Sequence, residues 1–125
     1  MDAWVEVWRQ SRGPERLLRA RWCSSYACRL KGLMFRRRLA DDEGLLLVDS
    51  GESRMSATIH MWFVFMTLGV AWLDKDQRVV DLQLARPWRI YAPHAAARYI
   101  LEGPPSMIEE LAIGDELSFE ASSPS

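Results

Sequence analysis

Two histidines, His60 and His94, are the side chains best suited to transfer a proton or bind a metal near neutral pH. Neither stands near a G-x-S-x-G nucleophile elbow, and neither has a second His or Cys at ligand spacing. We expect His60 to be a partly buried hydrogen-bonding residue of a strand and His94 to face solvent. The sequence therefore predicts no catalytic residue and no metal site.

Acidic and glycine-rich motifs give no stronger signal. Asp74, Asp76 and Asp81 are closely spaced, but the glycine and distal glutamate of an EF-hand loop are absent. A hairpin turn with solvated acids is the expected structure. The chain has no P-loop, and its glycines are too scattered for a dinucleotide fingerprint. We expect no cofactor.

A loop bracketed by Pro87 and Pro93 offers the best candidate for a binding surface. Six tryptophans are present, and most should pack in the core, but Trp88 lies among charged and aromatic neighbours. Alternatively, Trp88 folds back as a lid over one end of the barrel. The residues we predict to bind a ligand or partner are Arg86, Trp88, Arg89, Tyr91 and His60.

The densest basic run is Arg36, Arg37 and Arg38, whose guanidinium groups could grip phosphate oxygens. Acids at residues 41–43 could neutralise this run equally well. Nucleic-acid binding would also need exposed aromatic residues interleaved with the charge. The nearby aromatic residues in the sequence are Trp22, Tyr26 and Phe35. Nucleic acid is therefore not the expected partner.

The net charge of −1 conceals an uneven distribution. Residues 1–40 hold ten Lys or Arg against three Asp or Glu, whereas residues 41–125 hold six against fourteen. In a compact domain we expect the basic third to pack against the acidic remainder. Only a spatially segregated basic patch would indicate an anionic partner.

The cysteines and the apolar segments bear on the cellular compartment. Cys23 and Cys28 are too few for a disulfide scaffold or a zinc ribbon, so we expect reduced thiols. Their sulfurs would meet only in a helix or tight turn, which leaves a thiol switch as the alternative. The first ten residues lack the pattern of a secretory signal, and the apolar stretch 61–73 is too short to cross a bilayer. We expect a cytoplasmic protein with no membrane span.

Alternating apolar residues and regularly spaced turn residues predict a mainly β domain of the α+β class. We expect a small antiparallel β-barrel or sandwich of seven or eight short strands with two short helices, formed by residues 1–120 and followed by a frayed tail at 121–125. The helices are predicted from Ser24 or Ser25 to Lys31 and over 107–111. The predicted strands are 4–8, 16–22, 45–48, 59–65, 68–73, 78–84, 97–102 and 116–119.

Short segments spread along the chain match one family pattern in order and spacing. They are 31–36 (KGLMFR), 43–48 (EGLLLV), 59–63 (IHMWF), 70–76 (VAWLDKD), 97–102 (ARYILE) and 111–115 (LAIGD). Together they resemble the widespread prokaryotic family catalogued as domain of unknown function 192. The resemblance implies a compact, largely β fold and no particular activity. One departure is at 67–69, where Thr-Leu-Gly replaces the Pro-x-Asp typical of the family, so any role of that acid would not transfer.

These observations give one leading hypothesis and two alternatives. The leading hypothesis is a noncatalytic binding or accessory module that contacts a protein or a small ligand through its loop residues. The first alternative is an enzyme with a small substrate at the barrel mouth, where His60 or an acid such as Asp74 transfers a proton. A deep pocket that gathers His60 with a carboxylate would favour it. The second alternative is polyanion binding by the basic N-terminal third.

Overall fold

The computed structural model describes residues 3–121, so the predicted tail beyond Ala121 lies outside the described part of the chain. The elements in chain order are β1 Trp4–Arg9, β2 Glu15–Cys23, α1 Tyr26–Lys31, β3 Glu43–Ser53, β4 Ile59–His60, β5 Leu68–Leu73, β6 Val79–Ala85, β7 Ile90–Tyr91, β8 Ala97–Gly103, a 3₁₀ helix Pro105–Glu110 and β9 Leu117–Ala121. No helix among these is long and apolar enough to span a membrane.

Seven strands form one sheet in the order β6-β5-β8-β3-β2-β1-β9, and β4 pairs with β7 in a small second sheet. Every pairing is antiparallel except that of β2 with β3, which are connected through α1. The large sheet curls into a half-barrel. The prediction of a mainly β, barrel-like α+β fold with two short helices is confirmed.

Strand β5, second from the edge of the large sheet, is buried along its whole length, because both faces of the sheet are covered there. Ala71 and Leu73 point into a first core, which the 3₁₀ helix helps to close with Met107. Leu68, Val70 and Trp72 point into a second core on the opposite face. The second core is the one that matters for the candidate site.

Three segments, 24–42 with α1, 54–67 with β4 and 86–96 with β7, cover the second core, and we call them the covering layer. The indole N–H of Trp72 donates to the carbonyl oxygen of Ala57 at 2.8 Å and so ties this layer to the sheet. The predicted strand 59–65 was wrong beyond His60. The chain turns there instead, with the Val64 N–H donating to the carbonyl oxygen of Met61, and the ring of Phe63 stays exposed.

The predicted hairpin between β5 and β6 is confirmed, and its turn is held by Asp74. One carboxylate oxygen of Asp74 accepts the backbone N–H groups of Asp76 and Arg78, as a turn-forming Asp commonly does. The prediction of a solvated acid was wrong for Asp81. This residue is buried, and it accepts hydrogen bonds from the backbone N–H of His94 and from neighbouring groups of β6.

Helix α1 begins and ends as predicted, and it brings the two cysteines together. The Ser25 hydroxyl accepts the Cys28 N–H at 3.1 Å, and Gly32 ends the helix with a positive φ of 50°. Cys23, at the end of β2, is joined to Cys28 by a disulfide. The expectation of reduced thiols was therefore wrong, because the tight turn from β2 into α1 brings the two Cα atoms to 5.7 Å.

Candidate functional site

A cavity of about 310 Å³ lies between the large sheet and the covering layer. Strands β3 and β8 form its floor, α1 and Gly32 form one wall, and residues 56–64 form the opposite wall. Most of its lining is apolar, with Leu33, Leu47, Leu68 and Ile100 among the contributors. This volume is at the lower end of the range that holds small organic ligands.

Glu102 is the one buried carboxylate of this cavity. It is on the same face of β8 as Ile100, opposite Leu45 of β3 and Val70 of β5, and only 4% of the residue is exposed. Within the described chain its Oε1 atom has no hydrogen-bond partner. Burial raises the pKa of Glu102 to about 7, because water no longer stabilises the ionised form. The side chain can therefore give or take a proton near neutral pH.

The polar lining of the cavity is mainly basic, and Asp49 organises it. The Ser56 hydroxyl donates to Asp49 at 2.6 Å, the Arg29 guanidinium lies 3.2 Å from the same carboxylate, and Arg98 donates to the Asp49 carbonyl oxygen. The Ser56 hydrogen bond, with help from Arg29, lowers the pKa of Asp49 despite its partial burial. The exposed Lys31 also lines the cavity, so three cations share the lining with Asp49 and Glu102.

His60 lines the same cavity, because β4 pairs with β7 and holds it opposite Ile90. Its Nδ1 atom accepts the backbone N–H of Trp62 at 3.3 Å, which fixes the ring orientation. The cavity thus gathers His60 with Asp49 and Glu102. In the described residues, no three His, Cys, Asp or Glu side chains converge as metal ligands.

The other residues predicted for the binding loop lie outside the lining of the cavity. The Tyr91 hydroxyl accepts the backbone N–H of Arg86 at 2.8 Å and so closes the loop. Arg86 and Arg89 are exposed, and Trp88 is half exposed. Of the predicted group, His60 alone lines the cavity, although β4 pairs with β7 and so keeps the loop beside it.

The three arginines of the basic run have different environments. Arg36 lies 3.1 Å from Glu43, as the neutralisation alternative anticipated. Burial alone would raise the pKa of Glu43, but hydrogen bonds from the Ala40 N–H and from Arg36 outweigh it and lower the pKa. Arg37 instead lies over the ring of Phe65 at 5.3 Å, and Arg38 is exposed. Among the residues that the structure describes, acids neutralise only Arg36 of this run.

Glu102 was missed by sequence reasoning, although a signal was present. It follows Arg98 and Ile100 at a period of two, and this period places all three on one face of a strand. A glutamate at a strand end is usually solvated, so the sequence alone gave no reason to expect burial. Glu102 is buried because the covering layer folds over it.

Gly69 occupies the position where the family pattern has an acid, and no side chain fits there. A Cβ atom at residue 69 would lie 2.7 Å from the carbonyl oxygen of Pro104 and 3.2 Å from Ile108. The position faces the 3₁₀ helix and lies outside the lining of the cavity. The departure at Gly69 therefore belongs to packing and leaves the cavity residues unchanged.

The disulfide holds one wall of the cavity, and its removal should loosen that wall. The Cys23→Ser, Cys28→Ser double variant is expected to lose about 2 kcal/mol of unfolding free energy, because a short cross-linked loop is freed in the unfolded chain. Amide hydrogen exchange should speed up in α1. A reductant should have the same effect on the parent protein and none on the variant. Unchanged exchange in α1 would show that the cross-link does not hold this wall.

Known proteins resemble this chain in sequence over most of its length. The family pattern "DUF192: Uncharacterized ACR" matches residues 7–119. The UPF0127 protein TK1120 of Thermococcus kodakarensis is 41% identical over 93 residues, which are 73% of this chain and 58% of that protein. The UPF0127 protein PF1050 of Pyrococcus furiosus is 35% identical over 111 residues, 87% and 93% of the two chains. The matched part is 58% to 66% of the length of three Thermococcus relatives.

Two solved structures resemble this fold. A Sinorhizobium meliloti protein, named as a proposed transcription regulator, has a TM-score of 0.78 at 21% identity. The superposition covers 95% of this chain and 94% of that protein. A Novosphingobium aromaticivorans protein of unknown function has a TM-score of 0.75 at 21% identity, with 93% and 83% covered. Likeness at this identity concerns the fold alone.

Proposed function

Given that this chain belongs to the domain of unknown function 192 family, which has no assigned activity, we propose that it is a noncatalytic module that binds a small organic ligand. The ligand occupies the cavity between the large sheet and the covering layer. The loop residues Arg86, Trp88, Arg89 and Tyr91 do not line this cavity, so they do not contact this ligand and can contact a different partner.

The observation that carries this proposal is the buried Oε1 atom of Glu102, which has no hydrogen-bond partner among the described residues and lies in a mainly apolar cavity. A buried polar atom without a hydrogen bond costs about 1–3 kcal/mol, so folded proteins rarely leave one unsatisfied without a reason. The cavity next to Glu102 is large enough for a ligand group to supply the missing bond. A ligand that does so recovers this cost on binding.

The lining defines the chemistry of the ligand. Its deep end should carry an N–H donor, with an ammonium group as the strongest partner for Glu102. Its body should be apolar, to match the leucine and isoleucine side chains of the floor. Its outer end should be anionic, to meet Arg29, Lys31 and Arg98. Linear ω-amino acids of four to eight carbons combine these features and are suitable probes.

A thermal-shift experiment tests this proposal. At millimolar concentration, at least one ω-amino acid of the series should raise the melting temperature by several degrees, because a ligand at 100 times its Kd adds about 2.7 kcal/mol. Carboxylates of the same lengths, which lack the amine, should give smaller shifts. Leu47→Trp, which fills the cavity from its floor, should abolish the shift, and Trp88→Gly outside the cavity should retain it. Equal shifts in the parent and in Leu47→Trp would contradict the proposal.

General acid–base catalysis in the same cavity is a second candidate function. The observation that favours it is the joint presence of His60, Asp49 and Glu102 in the lining, with a pKa of about 7 at Glu102. A compound that binds in the cavity would then be converted over hours, as followed by mass spectrometry. Conversion that stops in Glu102→Gln would support catalysis, whereas binding without conversion would leave the module noncatalytic.

A further inference from the structure

An exposed aromatic surface lies on the covering layer, outside the lining of the cavity. Its members are Phe35, Trp62, Phe63, Phe65 and Trp88, each at least 40% exposed. Phe63 is its centre: its ring stacks on Phe35 at a centroid distance of 5.3 Å and meets Trp88 edge-on at 5.0 Å. Trp62 lies 6.3 Å from Trp88. Four of these rings, those of Phe35, Phe63, Trp88 and Trp62, therefore form one connected exposed cluster, and exposed apolar clusters often mark a binding surface.

The backbone holds three of these rings in a conformation that bulky residues rarely adopt. The φ angles of Phe35, Phe63 and Trp88 are 67°, 60° and 67°, in the left-handed region. This conformation is unfavourable for residues with a Cβ atom. The three residues remain 43% to 61% exposed despite it, which points to a role in presenting their rings to a partner.

The charge around this surface is mainly basic. The covering layer contains eight Lys or Arg and two acids, Asp41 and Asp42, which end its first segment. In the part of the chain that the structure describes, four arginines beside the rings have no acid within 4.0 Å: Arg37, Arg38, Arg86 and Arg89. Elsewhere in the chain, Arg9, Arg12 and Arg16 form ion pairs. Among the described residues, Arg19 and Arg78 form none. The covering layer therefore presents these four arginines without a neighbouring acid.

We propose that this aromatic–arginine face binds single-stranded nucleic acid. Unpaired bases would stack on the exposed rings, and phosphates would contact the four arginines that have no ion pair. Such a partner explains both the exposed rings and the uncompensated charge. A duplex hides its base faces and would leave the rings unused. An apolar protein partner would leave four arginines without counter-charges. The sequence lacked interleaved aromatic residues near the basic run, and the fold supplies them from residues 62–65 and 88.

Fluorescence anisotropy with a fluorescein-labelled twelve-nucleotide oligo(dT) tests the proposal on the full chain. Binding should weaken by about 50-fold between 50 and 200 mM salt, because four neutralised phosphates give a slope of about −0.7 per phosphate on logarithmic axes. A duplex of the same length should bind at least 10-fold more weakly. No binding at 50 mM salt and 100 µM protein, or equal binding of the duplex, would overturn the proposal.

Variants of the rings separate stacking from charge. Trp88→Gly and Phe63→Gly should each weaken binding by about 10-fold or more, since one stacked base contributes about 1–3 kcal/mol. Glycine suits the positive φ, so both variants should fold and melt within a few degrees of the parent. Ile113→Ala, at an exposed apolar residue, and Arg78→Ala, at an exposed arginine, are matched controls outside the face. Binding that depends on Arg37 and Arg89 but not on Trp88 and Phe63 would overturn base stacking.

Discussion

The Glu102→Gln variant is expected to gain about 3 kcal/mol of stability relative to the parent protein as the pH rises from 4 to 8. The pKa of Glu102 is about 7 in the folded protein and 4.5 in the unfolded chain. Below pH 4.5 the residue is protonated in both states and has no effect. Between pH 4.5 and 7 the unfolded chain ionises first, which favours unfolding. The parent therefore loses stability across this window and then levels off, whereas glutamine has no proton to lose.

Urea unfolding of both proteins at several pH values measures this difference. Glu43→Gln is the control with the opposite sign, since the pKa of Glu43 is lowered in the folded state. Glu43 contributes to the free energy of unfolding at neutral pH, and this contribution is lost as the pH falls through the pKa of Glu43 in the folded protein. Parallel pH profiles for the parent and Glu102→Gln would show that Glu102 is solvated, and the cavity would then lack its defining group.

The second large effect is expected at Gly69. Gly69→Asp should lower the free energy of unfolding by about 3 kcal/mol or more. The new Cβ atom would overlap the Pro104 carbonyl oxygen, and the carboxylate would be buried between β5 and the 3₁₀ helix. Restoring the acid of the family pattern should therefore harm the protein without creating a site. Gly69→Ala should cost about 1–3 kcal/mol, which separates the overlap from the burial of charge.

Gly51→Asp is the matched control for this substitution. Nothing lies within 4 Å of a Cβ built at Gly51, which is exposed in β3, so its stability should change by less than about 0.5 kcal/mol. A Gly69→Asp variant as stable as the parent would show that the position has room for a side chain. The missing acid would then have to be reconsidered as a lost functional group.

Several elements of this fold could be predicted from the sequence because residues close in the chain determine them. The Ser25 cap and Gly32 end of α1 and the Asp74 turn of the β5–β6 hairpin are each formed by residues close in sequence. The segment after His60 was wrongly predicted as a strand. Its apolar and aromatic residues are typical of a strand, but here they form a turn that leaves the aromatic rings exposed. Pairing of β2 with β3 depends on distant residues and left no local signal.

The candidate site was less predictable, because it forms between distant segments. The polarity of His60 and Asp49 is visible in the sequence, but their common cavity requires α1 and residues 56–64 to fold over β3 and β8. Trp88 stands out in the sequence as an aromatic residue between Arg86 and Arg89. Its neighbours Trp62 and Phe63 belonged to a segment predicted as a strand, so their contact with Trp88 on one surface was not predicted.

The measurement that tests the account most directly is a ¹³C NMR titration of the Glu102 carboxyl group with and without the ω-amino acid series. Without a ligand, we expect a pKa of about 7. A bound ammonium group should lower this pKa towards 4.5, because it stabilises the ionised carboxylate, and carboxylates without the amine should leave it unchanged. A Glu102 pKa that stays near 7 with every member of the series at 10 mM would contradict ligand binding at this carboxylate.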